Sequence, residues 1–323
     1  MVDSQSSLSC RKAQPVRPWR FSPSALLACS SIIALLCVAS ALPASAAAAC
    51  ISVQVDLVSG DDSRCATTCV CASIAHAVQV VGASEVNLSR GVFNESTVNI
   101  FNVASLVVSG VPSLSFFDCS RRLQPAGAAF NISNSTVTFT GVTFQHCSNA
   151  ISNGGALSAV DSSVTVSQCG FFNCSAANGG AVSTTGRGDA LFLNVQDSSF
   201  TRNAAVGGVV GCPAGDRSGE PCSTWGGAVA AFEVRNVSVT GCTMVDNSAI
   251  ALVPSQSQQS SVSQNAVAGG GCVSILFRGN SSASSVLISG NSFAQCTVDL
   301  PRSNIRVGNG TVSVRAVIVV VRA

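Results

Sequence analysis

Charge is scarce in this chain. Asp, Glu, Lys and Arg together make up 10% of its 323 residues, against about 25% in an average soluble domain. There are four Glu and two His, and the formal net charge is +2. Beyond residue 20 the only basic cluster is Arg121-Arg122. Nucleic-acid binding requires a concentrated Lys/Arg footprint, so that class is excluded. Gly-x-Ser-x-Gly, His-Glu-x-x-His and phosphate-loop patterns are all missing, and with them the hydrolase, zinc-protease and nucleotide-binding sites they signal. Disorder is excluded from the other side. The hydrophobic fraction is 47%, whereas disordered chains are poor in aliphatic residues and rich in charge.

The polar remainder is mostly Ser, Thr, Asn and Gly, a composition that fits short strands with polar turns. Residues 1–48 read as a secretory signal. Arg11, Lys12, Arg17 and Arg20 form a positive region, Ala25 to Ala41 an apolar run, and Pro43 to Ala48 a small-residue stretch suited to cleavage near Ala46 or Ala48. An uncleaved signal anchor is the alternative, although the apolar run is at the short edge of a membrane span.

Cysteine usage points to the same compartment. Of 16 Cys, Cys10, Cys29 and Cys37 leave with the signal, and the remaining 13 suit an oxidising environment. The odd number implies a free thiol or an intermolecular bridge. Eight Asn-x-Ser/Thr sequons stand at Asn87, Asn94, Asn131, Asn134, Asn173, Asn236, Asn280 and Asn309, the pattern of a glycosylated secretory protein.

A repeated unit decides the fold. Phe144 is preceded by Val137 and Phe139, seven and five residues earlier, and followed three residues later by Cys147. The same frame recurs at Phe171 (Val164, Val166, Cys174), Phe200 (Leu193, Val195, Asn203), Met244 (Val237, Val239, Asn247) and Phe293 (Val286, Ile288, Cys296). A weaker sixth copy is Phe116 with Val111 and Cys119. Apolar residues two apart share one face of a strand. A small turn such as Thr140-Gly141 then redirects the chain, so that the anchor Phe or Met points inward. Gly-Gly-small signals at Gly154, Gly179, Gly207 and Gly226 mark tight corners.

Such a unit cannot bury its apolar face alone, whereas stacked copies make a continuous core. The expected fold is therefore all-β: a single-stranded right-handed parallel β-helix whose core ladder is Phe144, Phe171, Phe200, Met244 and Phe293. Anchor spacings are 27, 29, 44 and 49 residues. The longer two are either one coil with an insertion or two coils, one of them degenerate. A helix over Ser73 to Val81, with Ile74, Ala77, Val78 and Val81 on one side, caps the open end. The expected organisation is a signal (1–48), a cap with first coils (49–115) and repeats (116–323), with insertions at 211–224 and 251–268. Val312 to Val321 reads as a bare apolar strand without a cap.

The stretch from Cys65 through Ser73-Ile-Ala-His-Ala-Val78 to Gly91-Val-Phe-Asn-Glu95 resembles the entry of pectin-lyase-like β-helix proteins. Residues 130–300 resemble the repeats of polymorphic outer membrane proteins and similar adhesin-like β-helices. The shared motifs are Phe200-Thr-Arg-Asn203, Gly154-Gly-Ala-Leu157, Gly179-Gly-Ala-Val182 and Gly226-Gly-Ala-Val229. Three of five strong units carry Cys where those repeats have Asn, and one has Met for Phe. The resemblance implies a surface protein that works in adhesion or display. Its pectin-lyase-like side implies the alternative of a polysaccharide lyase or hydrolase.

Catalysis by that alternative needs acids in stacked coils at one register. Asp118 and Asp246 lie two past their anchors, Asp197 three before, and Asp161 in a turn, so no adjacent coils share an acid. His146-Cys147 beside Cys174 lacks the second His or Cys-x-x-Cys pair of a metal site, and His76 is placed on the capping helix. No catalytic, cofactor or metal residues are expected.

Cys147 and Cys174 share a register in neighbouring coils, which permits either a disulfide or a stack of thiols. Cys212 and Cys222 are expected to close the first insertion. Cys65, Cys69 and Cys71 are expected to staple the cap, with Cys50 as a candidate partner. Arg187-Gly188-Asp189 is a receptor-type tripeptide or a plain polar turn. The expected protein is secreted or on the cell surface. Its partners are glycans or proteins, with membrane association only through an uncleaved N-terminal segment or a missing C-terminal part.

Overall fold

A computed structural model of the chain describes residues 50–120, 127–186, 190–207, 223–251, 267–278, 285–299 and 317–322. They fold as a parallel β-helix. Every strand pair is parallel, and beyond the cap, where Ser52–Val55 pairs with the next strand Val70–Cys71, strands pair with their equivalents one coil away rather than with their chain neighbours. Each coil visits up to four sheets in a fixed order, illustrated by Thr136–Thr140, Thr143–Gln145, Ser148–Asn153 and Leu157–Val160. The four sheets hold nine, seven, five and seven strands respectively, and a small two-stranded sheet lies to one side.

Both long intervals are single coils. Val195 pairs directly with Val239, and Val239 with Ile288. Most of their extra residues fall in sequence between the third-sheet and fourth-sheet strands, ahead of Ser223–Trp225 and Val267–Gly269, which pair as the two-stranded sheet, and in the second interval residues 279–284 fall between the fourth and first sheets. The proposed signal, Arg187-Gly188-Asp189, Cys212, Cys222, Asn280 and Asn309 lie outside the described residues.

The core ladder has seven rungs among the described residues, six of them aromatic. Phe93, Phe117, Phe144, Phe171, Phe200, Met244 and Phe293 pair in sequence across the second sheet. The first six are buried and Phe293 packs partly buried against the same core. The sixth anchor expected from sequence is off by one: Phe117, not Phe116, faces the core. In that coil the connection between Leu106–Ser109 and Ser115–Asp118 runs over five residues instead of two, which shifts the offset between the apolar pair and the anchor.

Corners are made by residues in the left-handed backbone region, stacked in four columns. One column is Gly141, Gln168, Asp197, Gly241 and Gly290; the next is His146, Asn173, Arg202, Asp246 and Gln295. The third is glycine throughout (Gly154, Gly179, Gly226, Gly270), and the fourth holds Asn102, Asn134, Asp161 and Glu233. The all-glycine column has a steric cause. A Cβ on Gly154 would meet its own chain at Leu157 O, and one on Gly155 would meet the carbonyls of Gly180, Cys147 and Ser175. One glycine supplies the backbone angle and its neighbour the room for the adjacent coil.

The N-terminal cap is helical, as expected. Ile74–His76 is an α-turn that continues as a π-turn over Ala77–Val81, with Ile74, Ala77 and Val78 buried and His76 half-buried. Ser73 Oγ accepts from His76 N at 3.2 Å. The Glu95 carboxylate accepts from Ile74 N at 2.6 Å and Ala75 N at 3.0 Å. The Gly91-Val-Phe-Asn-Glu95 stretch thus has two jobs: Phe93 starts the ladder, and Glu95 satisfies helix N–H groups that would otherwise lack partners. Disulfides Cys50–Cys69 and Cys65–Cys71 bind this cap, with Cα–Cα distances of 5.5 and 4.7 Å.

Candidate functional site: the polar outer faces and corners

Strand alternation places Ser, Thr, Asn and Gln on the outside of the first sheet. Over four successive coils the outward pairs are Thr138 and Thr140, Thr165 and Ser167, Asn194 and Gln196, and Ser238 and Thr240, all in register. None is charged. They form two columns about 6.8 Å apart, stepping about 4.8 Å per coil. The columns are knitted in places, as where Gln196 Nε2 donates to Ser167 Oγ at 3.1 Å.

Beside this array a shallow cleft of about 230 Å³ follows the corner to the second sheet. Thr143, Gln168, Gly170, Asp197, Ser199 and Thr243 line it. Among the described residues Asp197 is the only charged one in its wall, and it faces the backbone of Gly241 in the next coil.

The corner between the second and third sheets carries two pairs of ionisable side chains. His146 Nδ1 lies 3.3 Å from Asp118 Oδ1, one coil away, and the His146 ring meets the edge of Phe172 with centroids 5.9 Å apart. Burial raises the Asp118 pKa, but hydrogen bonds from Ser120, His146 and Gln145 outweigh it and hold the carboxyl below the usual range. Higher on the same corner, Arg202 Nε and Asp246 Oδ2 are 3.8 Å apart.

Asp118 and Asp246 therefore belong to separate pairs. Their strands are four coils apart, about 19 Å at the coil rise. Two carboxylates acting on one glycosidic bond stand roughly 5–9.5 Å apart, so these two do not form such a pair. Asp161 and Glu233 stand in the left-handed column between the fourth and first sheets. Among the described residues His, Cys, Asp and Glu side chains do not gather in threes at metal-binding distance.

Inside the second corner the Cys/Asn position at the end of each repeat forms a column. Asn203 and Asn247 are fully buried. Asn203 Oδ1 accepts from Cys174 N at 2.9 Å, and its Nδ2 donates to Phe171 O at 3.1 Å. Asn247 repeats this one coil on, with Oδ1 accepting from Asn203 N and Nδ2 donating to Phe200 O. Each amide thus satisfies backbone groups of the coil before it.

The cysteines of the column behave differently. Cys147 bonds to Cys119, with Cα atoms 4.7 Å apart, and not to Cys174. Cys296 bonds to Cys272 at 5.4 Å. In a parallel stack Cys147 has a cysteine on both sides, and shared register with Cys174 does not choose between them. Cys174 is a buried free thiol, as are Cys169 and Cys242. Burial pushes the Cys169 thiol up to about 11 and that of Cys174 to about 12, so neither is a ready nucleophile.

Most of the described sequons lie away from the central array. Asn131 is on the outer face of the fourth sheet, Asn134 at the corner after it, and Asn173 at the corner beyond the second sheet. Asn94 is exposed beside the cap. Two lie on the first sheet itself: Asn236 opens the strand Asn236–Thr240, and Asn87 is in the strand Glu85–Leu88, two coils below Thr140. Among the described residues no helix is long and apolar enough to cross a membrane.

No protein-family description, curated protein or solved structure matches the chain.

Proposed function

We propose that the protein is a secreted or cell-surface, glycosylated β-helix that acts in adhesion or surface display, with the first-sheet face as its contact surface. The observation that carries this reading is the eight-residue uncharged array from Thr138 to Thr240, none of whose positions is a sequon asparagine. Hydroxyl and amide side chains held on a rigid lattice present many hydrogen-bonding groups at little entropic cost. A glycan on Asn134 would stand at the edge of that face, and one on Asn236 beside Ser238 within it. The disulfides Cys50–Cys69, Cys65–Cys71, Cys119–Cys147 and Cys272–Cys296 suit an oxidising compartment. The resemblance of the repeats to adhesin-like β-helices supports the same assignment.

The test is expression through a secretory pathway followed by binding to cell surfaces and extracellular glycans. A secreted, glycosylated chain whose binding is lost in the Thr165→Lys, Ser238→Lys double variant, with unchanged circular dichroism, agrees with the proposal. Retention in the cytosol, or binding indifferent to that variant, contradicts it.

A second reading, a carbohydrate-active β-helix enzyme, is favoured by Asp197, a carboxylate in a cleft walled by Thr143, Ser199 and Thr243. Reducing-end release from neutral or acidic polysaccharides that disappears in Asp197→Asn would establish it; no turnover by the wild-type chain would remove it.

A further inference from the structure

Three cysteines of successive coils stand at one corner of the core, and only two can be joined at a time. Cys119 and Cys147 are joined. Cys174 is one coil further on and in register with Cys147, since Phe144 pairs with Phe171 and Ser148 with Ser175. The Cα separation for that pair is the coil rise, about 4.8 Å, inside the 4.4–6.8 Å range that disulfides span.

The Cys174 thiol is also directed toward that coil. Its Sγ donates to Phe172 O at 3.6 Å and to Phe144 O at 4.0 Å, the latter in the coil of Cys147. From the other side its backbone is held by Asn203 Oδ1. The core is therefore built so that Cys147 has a sulfur neighbour both below and above.

We propose that Cys119, Cys147 and Cys174 form a thiol–disulfide relay in which the bond moves from Cys119–Cys147 to Cys147–Cys174 and frees Cys119. Cys174 as thiolate attacks Cys147 Sγ, the new Cys147–Cys174 bond forms as the Cys119–Cys147 bond breaks, and Cys119 leaves as thiolate and takes up the proton Cys174 gave up. One disulfide and one thiol are present before and after, so no oxidant or reductant is consumed. What changes is where the thiol sits. Cys174 is 1% exposed and Cys147 fully buried, whereas Cys119 is 7% exposed and follows the outward-facing Asp118. The relay moves the free thiol to the least enclosed of the three buried positions, next to the exposed Ser120, where opening of the corner brings it within reach of a thiol on a partner or in solution.

Scarcity of Cys174 thiolate keeps the relay slow in the resting chain. Local opening of this corner sets its rate.

The experiment is disulfide mapping of the purified full chain by mass spectrometry. The chain is incubated for hours with N-ethylmaleimide under native conditions and digested without reduction. The expected result is progressive labelling of Cys119 together with a Cys147–Cys174 peptide pair, and at least tenfold less Cys119 labelling in Cys174→Ser. In Cys119→Ser, oxidised glutathione as the added oxidant is expected to yield the Cys147–Cys174 link. Cys174 labelled directly while Cys119–Cys147 stays intact overturns the proposal. So does Cys119 labelling that is the same in Cys174→Ser, or a corner that never labels in the wild-type chain at any time. The wild-type time course decides the matter even where Cys119→Ser does not fold.

Discussion

The rings of Phe171 and Phe200 stack nearly parallel, with centroids 4.7 Å apart and planes 6° from coincidence. Phe144 continues the stack below Phe171 at 5.1 Å and 10°. Ring separation here is the coil rise, so the aromatic column and the parallel hydrogen-bond ladder enforce one period. Truncating Phe171 to Ala should cost about 3–5 kcal/mol, since the cavity lies between two coils that cannot both collapse into it. Phe171→Leu should cost less, because it keeps most of the volume. Urea denaturation followed by far-UV circular dichroism measures both, and a Phe171→Ala loss below about 1 kcal/mol would mean that the stack does not hold the coils.

The asparagine column makes a different prediction. Removing the Asn203 amide strands Cys174 N in the core, at about 1–3 kcal/mol for an unsatisfied buried group, and takes a second donor from Phe171 O. Asn203→Asp retains the acceptor, loses the donor and buries a charge, so at neutral pH it should destabilise more than Asn203→Ala. Comparing the two variants at pH 7 by urea titration tests the ordering. Asp better tolerated than Ala would contradict the hydrogen-bond assignment.

The glycine column should be intolerant at its second position. Gly155→Ala places a methyl group among three carbonyls of this and the next coil, and the coils must part locally. A loss of about 1–3 kcal/mol is expected, with hydrogen-exchange protection falling at Ala156 and Ala181. Wild-type stability in Gly155→Ala would show that the corner is looser than described.

The cap should respond to acid before the coils. Hydrogen bonds from Ser63 and Arg64 hold Asp61 down at about 2. The Val58 and Ser59 groups lower Asp56. Burial raises Asp62, but hydrogen bonds from Ser73 and Ala72 outweigh it. In the unfolded chain these groups titrate near 3.9. A folded pKa below the unfolded one means stability that is present above about pH 4 and lost as pH falls toward 2. Protection factors over residues 61–76, corrected for intrinsic exchange, should therefore drop between pH 5 and pH 2 while those of residues 160–200, away from the Asp118–His146 corner, hold. Uniform loss along the chain would contradict a separately titrating cap.

Much of this architecture is legible in the sequence because a solenoid repeats its own evidence. The apolar pairs seven and five residues before each anchor are the inward positions of the first sheet, and each anchor is a rung of the second. The Gly-Gly-Ala signals mark the corner before the fourth sheet, and Ile74, Ala77 and Val78 mark the buried side of the cap. The misses arise where spacing stops being constant. Phe117 was displaced by the long connection before it, and the Cys147 partner was hidden because a column offers two neighbours and sequence register cannot rank them.

The outer-face pairs were less visible still. Asp118 meets His146 only because two coils of different corner length bring adjacent columns together, a relation that no offset in the chain encodes. Left-handed corners at Gln168, Arg202 and Glu233 carry no turn residue to announce them. The uncharged array on the first sheet is the one candidate surface that could have been read in advance, since its members are the residues between and after the apolar pairs.

Amide-to-amide nuclear Overhauser contacts across the first sheet of the deuterated chain test the stacked-coil arrangement most directly. The parallel register predicts contacts linking the strands of Val166, Val195 and Val239 in turn, and none between Thr136–Thr140 and the Thr143–Gln145 strand that follows it. Cross-strand contacts of antiparallel type between those two chain neighbours, with Val166 and Val195 far apart, would contradict it.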